Sequence, residues 1–219
     1  FETGLRMLPV SVTLFLTSAL GPVFERRFGA RSVVRAGLAV LLVACVALLT
    51  LIDHEIDTVG FLVTMAVLGV GMGLLASQLG NVVQSSVGPE ERSEAGGLQY
   101  TAQQLGAALG TALMGAVVIG SMATTLGRAV DDDPRVSDAV AEQVGIQLAA
   151  GVSFVAVPTV EAAVTDAGVP ISEGDAIVEN YADSQLQAPK LGLLLAAFVV
   201  AAAFFGTKRL PDRPAPLEN

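Results

Sequence analysis

Long stretches without charge constrain this chain more than any other feature. A helix needs roughly 18 or more mostly apolar residues to cross about 30 Å of hydrocarbon. The spacing of charges marks five candidates: about Met7 to Phe24, bounded by Arg6 and Glu25; Val33 to Ile52, with Arg35 near its start and Asp53 at its end; about residues 60–82; about residues 96–122; and Leu191 to Thr207, between Lys190 and Lys208. The expected fold class is all-α, a multi-pass membrane helical bundle. Four transmembrane helices are expected within residues 1–127, an acidic segment over 128–188, a final transmembrane helix over 189–207 and a tail over 208–219. The composition agrees, because 53% hydrophobic and 15% charged residues lie on opposite sides of the usual values for a soluble domain.

The turn between the first two stretches, Gly21-Pro22-Val23-Phe24-Glu25-Arg26-Arg27-Phe28-Gly29-Ala30-Arg31, concentrates arginines beside glycines. Cytoplasmic loops carry an excess of Lys and Arg, so this turn sets an orientation. With it inside, Arg26, Arg27, Arg31, Arg35, Arg92, Lys208, Arg209 and Arg213 fall at the inner face, and Arg6, Arg128, Arg135 and Lys190 at the outer. The N-terminus is then expected outside and the C-terminus in the cytoplasm of a cytoplasmic (plasma) membrane protein. Glu90, Glu91 and Glu94 outnumber Arg92 in one inner connection, but acids contribute little to the rule.

The formal net charge of −9 comes from the segment between Arg128 and Ala188. Its acids include Asp131, Asp132, Asp133, Asp138, Glu142, Glu161, Asp166, Glu173, Asp175, Glu179 and Asp183. Short helices are expected from about Ser137 to Ala150 and after Ser172-Glu173-Gly174-Asp175, which has capping-box spacing, with Pro158 and Pro170 punctuating the rest. The aspartate run lacks the alternating ligands and closing Glu of a calcium loop, so the reading is a solvated extracytoplasmic cap. His54, beside Asp53, Glu55 and Asp57, has no second His or Cys, and the single Cys45 lies in an apolar run. Neither is read as a metal ligand, and Cys45 is read as packing. The chain begins at Phe1, with no charged signal-peptide start before Leu5, so further sequence is expected upstream.

Glycine is dense in the third and fourth stretches, at Gly69, Gly71 and Gly73, then at Gly106 and Gly110 as a GxxxG pair. Small residues let membrane helices approach closely, which suits either static packing or a sliding face. Polar side chains at membrane depth favour a bundle interior or wet cavity. Gln78 and Asn81 share one helix face, as do Gln99 and Gln103, with Gln104 beside them. All are cavity-lining candidates, although Gln84 and Gln99 suit the headgroup interface equally well. No apolar stretch contains an internal Asp, Glu, Lys, Arg or His to relay a proton. No catalytic constellation is present, so an enzyme is not expected, and the few basic residues argue against nucleic acid.

These residues resemble the major facilitator superfamily, in particular its fourteen-helix drug/proton antiporter branch. The arginine turn is similar to that superfamily's cytoplasmic signature. The stretch Gly69 to Ser86, the loop Gly88-Pro89-Glu90-Glu91-Arg92-Ser93-Glu94-Ala95 and the helix Gly96 to Ala112 are similar to consecutive segments of the branch's C-terminal half. The resemblance implies an efflux carrier for small, often amphipathic molecules, working by alternating access in exchange for protons, with no cofactor. It implies that an N-terminal helical domain and the first helix of this half lie upstream of Phe1. It also implies a gating loop of Gly21, Glu25, Arg26, Arg27, Gly29 and Arg31, whose acid pairs with neighbouring helix ends. The signature places its acid where Arg26 stands, so Glu25 falls one residue early. The rival reading is a transport-inactive scaffold, or a truncated carrier fragment, whose acidic outer loop binds a partner.

Overall fold

The computed structural model describes residues 2–52, 58–84, 87–150 and 155–207. The loop with His54 and the tail with Lys208, Arg209 and Arg213 lie outside the described residues, as does the side chain of Gln84. Seven helices account for nearly all of what is described: α1 (Glu2–Phe28), α2 (Ala30–Leu51), α3 (Thr58–Gln84), α4 (Arg92–Asp132), α5 (Asp138–Ala150), α6 (Val157–Asp166) and α7 (Ile171–Gly206). Five of them, α1 to α4 and α7, are long and apolar enough to cross a membrane. Large apolar side chains such as Phe15, Leu16, Val43, Leu105 and Phe198 point outward from them, as suits a lipid surround.

The arginine turn is shorter than the sequence suggests. Helix α1 continues to Phe28, the Gly29 N–H still bonds the Glu25 carbonyl at 2.8 Å, and α2 starts at Ala30. The reversal rests on Gly29, whose φ of 79° is open to glycine and costly for other residues. Glu25, Arg26 and Arg27 therefore stand on the last turn of α1 and Arg31 on the first turn of α2. Arginines at a helix C-terminus also suit its partial negative charge.

Contacts divide the chain into two compact units, Phe1–Gly110 with Leu193–Asn219, and Thr111–Gly192. In the first, α3 packs against both α1 and α2. Close approach is set by glycines. A Cβ on Gly71 would meet Leu41 Cγ at 2.7 Å, and one on Gly37 would lie 3.2 Å from the Gly71 carbonyl, so these two fix the α2–α3 crossing.

In the second unit, Met122, Leu126 and Val130 of α4 meet Ile177, Tyr181 and Ala188 of α7, and apolar residues of α5 and α6 cover them. This packing explains why α4 and α7 outrun the expected spans. With 41 and 36 residues they reach about 60 and 54 Å, well beyond the hydrocarbon thickness. Nor is there a separate short helix after Ser172, because α7 runs unbroken from Ile171 through Pro189. The Glu173 carboxylate accepts the Ser137 N–H (3.0 Å) and hydroxyl (2.7 Å) at the head of α5. Val155, just before α6, is held by Tyr181, whose hydroxyl exchanges hydrogen bonds with both of its backbone groups at 3.0 Å.

Candidate functional site

The α1–α3 seam is built on a four-residue repeat. On α3 the repeat is Gly69, Gly73, Ser77 and Asn81; on α1 it is Thr13, Thr17, Gly21 and Glu25. Positions four apart share a helix face, so two such series meet rung by rung. A Cβ on Gly69 would strike Thr13 and the Val10 carbonyl, and one on Gly73 would lie 2.6 Å from the Leu14 carbonyl and 2.8 Å from Thr17 Oγ1. The third rung reverses the pattern: the glycine is now Gly21 on α1, and its added Cβ would strike Ser77 on α3. The two threonines keep their hydroxyls at home, Thr13 donating to the Pro9 carbonyl at 2.7 Å and Thr17 to that of Thr13. The α1 half of this seam was legible only as i, i+4 spacing of small residues, which the glycine count alone does not reveal.

The last rung is polar. Asn81 Nδ2 donates to Glu25 Oε2 at 2.8 Å. One residue along α1 is a rotation of about 100°, so an acid at position 26 would leave the seam. The early placement of Glu25 is what brings its carboxylate to α3. Beside it, Gln78 is completely buried. Its amide donates to Ser77 Oγ at 3.2 Å and, at 3.5 Å, to the Gly21 carbonyl, while the Ser77 hydroxyl donates to the Leu74 carbonyl at 2.8 Å. Gln78 Oε1 has no partner among the described residues. Within the described residues this glutamine is packed inside the seam.

Of the basic residues of the turn, Arg27 lies over the Phe28 ring at 5.6 Å. Arg26 and Arg27 are exposed and Arg31 is half-buried. The other candidates stand on α4. Gln99 is half-buried, Gln103 and Gln104 are exposed, and Cβ atoms on Gly106 or Gly110 would meet nothing within 4 Å. Gln99, Gln103, Gly106 and Gly110 follow one another at spacings of four and three, hence along one face. The glycines thus fall into two sets, one locked in helix contacts and one open. No group of three or more His, Cys, Asp or Glu comes together as a metal site among the described residues.

A helical bundle with five membrane-length helices, small-residue seams and polar groups at one seam's end defines a polytopic membrane protein. The pattern of the Major Facilitator Superfamily matches residues 3–128, more than half of the chain. The chain belongs to that superfamily. It is 32% identical over 138 residues to the "Probable actinorhodin transporter" of Streptomyces coelicolor, covering 60% of this chain and 23% of that protein. It is 27% identical over 224 residues to the "Tetracenomycin C resistance and export protein" of Streptomyces glaucescens, covering 99% and 39%. Similarity to the "Multidrug resistance protein Stp" of Mycobacterium tuberculosis is 28% over 124 residues, covering 57% and 23%. The matches span 23% to 39% of the length of these relatives. No solved structure gives a significant match.

Proposed function

We propose that this chain is part of an efflux carrier that moves small, amphipathic molecules out across the cytoplasmic membrane by alternating access, in exchange for protons. The observation that carries the reading is the superfamily match together with relatives named as exporters and resistance proteins. The geometry fits a division of labour. Helices α1 to α3, interlocked through glycine, form a body that moves as one, and the face of α4 with Gln99, Gln103, Gly106 and Gly110 is the wall that faces substrate or slides. The arginine turn lies on the cytoplasmic side, with Glu25 and Asn81 as a charge-assisted contact that breaks and re-forms as the body rocks. The proton-handling groups are supplied by residues outside the segment, since its apolar stretches hold no acid or histidine.

The test is uptake of actinorhodin, tetracenomycin C and common cationic drugs into everted membrane vesicles carrying the full-length protein. Uptake driven by an imposed pH gradient and abolished by a protonophore is the expected result; no movement of any compound overturns it. In the same assay Glu25→Gln should slow transport about fivefold at unchanged membrane abundance, the worth of one partly exposed charge-assisted bond near 1 kcal/mol. Transport at the parental rate would remove Glu25 from the gate.

A further inference from the structure

We infer that Arg35 is a positioning residue that holds the C-terminal end of α7 against α2 through the ring of Phe204, so that this end moves with the α1–α3 body. The inference rests on the transport reading above. The Arg35 guanidinium carbon lies 4.9 Å from the Phe204 ring centroid. Phe205 braces that ring nearly edge-on, with centroids 6.0 Å apart and planes at 84°. Three residues further on, Thr207 is buried and its hydroxyl donates to the Phe204 carbonyl at 2.6 Å.

Phe204 ends a line of less exposed positions along α7, Leu193, Ala197, Val200 and Phe204, with the buried Thr207 just beyond it, while Leu194, Phe198, Val199 and Phe205 face outward. That spacing of four and three puts them on one face of the helix. Beside the end of that face, α2 contributes a cation. A guanidinium is held by the negative face of an aromatic ring, more strongly when water is excluded, and its flat delocalised charge suits the ring better than a lysine does. Arg35 stands one turn beyond Arg31, on the same face of α2, so the contact places the end of α7 beside the arginine turn.

The test uses the full-length protein freed of other cysteines and carrying Thr207→Cys, labelled in membranes with a polar maleimide. The buried position should react slowly in the parent. It should react severalfold faster when Phe204→Leu or Arg35→Gln is added, and return to the parental rate with Phe204→Trp, all at matched membrane abundance. Phe204→Leu should lower the maximal transport rate while leaving the KM unchanged, and Phe204→Trp should restore it. Equal labelling of the Leu variant and the parent overturns the inference. So does a Trp variant as reactive as the Leu variant, because packing volume and not the ring face would then be responsible. Labelling is read whether or not the protein transports, so a parent that moves no substrate overturns the transport reading while the latch is still tested.

Discussion

At the residue scale, the two classes of glycine lead to opposite expectations. Gly73 faces the Leu14 carbonyl, which is backbone and cannot turn aside. Gly73→Ala must separate α1 from α3 and should cost about 1–3 kcal/mol, the usual penalty for overpacking. A lowered melting temperature in detergent is the readout, with Gly106→Ala, which meets nothing within 4 Å in this chain, as the unshifted control. Equal melting of the two would mean that the seam is slack. Sequence alone marks both glycines as small residues in apolar helices. It does not separate them, because separation depends on which neighbour stands opposite. Gln78 makes the same point. Its polarity at membrane depth marks it as a functional candidate, yet its place is the interior of a helix seam, where it donates to Ser77.

At the scale of elements, the acidic segment is a folded piece with its own apolar core, and a polar clasp at the end of α4 secures it. Arg135 bonds Asp133 at 2.8 Å and Glu179 at 2.7 Å, and Asn180 donates to Asp133 at 2.9 Å. The Arg135 side chain, then the Arg135 N–H and Asn180, hold the Asp133 carboxyl well below the usual carboxylate range. The side-chain hydrogen bonds to Asp133 and then Glu179 hold the Arg135 guanidinium more firmly protonated than usual. A carboxyl with a depressed folded pKa stabilises the fold above its ordinary value of 3.8 and loses that contribution as pH falls below it. The backbone amides of Arg135 and Val136, which bond Asp133, should therefore keep their hydrogen-exchange protection from neutrality down to about pH 4 and lose it only in stronger acid. Asp133→Asn should open the clasp already at pH 7 and remove the acid transition; unchanged protection would show that the apolar core alone holds it. The acidity of this segment was plain in the sequence, as was helical periodicity after Ser137. The unbroken α7 was not, because Pro189 suggests an interruption that packing against α4 overrides, whereas the capping spacing at Ser172 falls where α7 begins.

At the scale of the whole molecule, the proposed orientation rests on charge bias, which is a property of insertion rather than of the folded contacts. Single cysteines make it measurable. In intact cells Asp166→Cys on the second unit should react with an impermeant maleimide, and Arg27→Cys should react only after the membrane is opened. The reverse pattern would invert the assignment and move the Glu25–Asn81 contact to the outer face.

The sequence by itself determined the class of this protein, its five membrane-length helices and the location of its acid-rich segment. Apolar length and charge are local quantities, and hydrocarbon selects on them directly. Only the tertiary structure decided that the arginine turn is two helix ends joined at Gly29, that Glu25 meets Asn81 on a four-rung seam, and that Arg35 meets Phe204. Each of those facts depends on which faces of distant helices come together, and small-residue spacing permits several pairings where packing selects one.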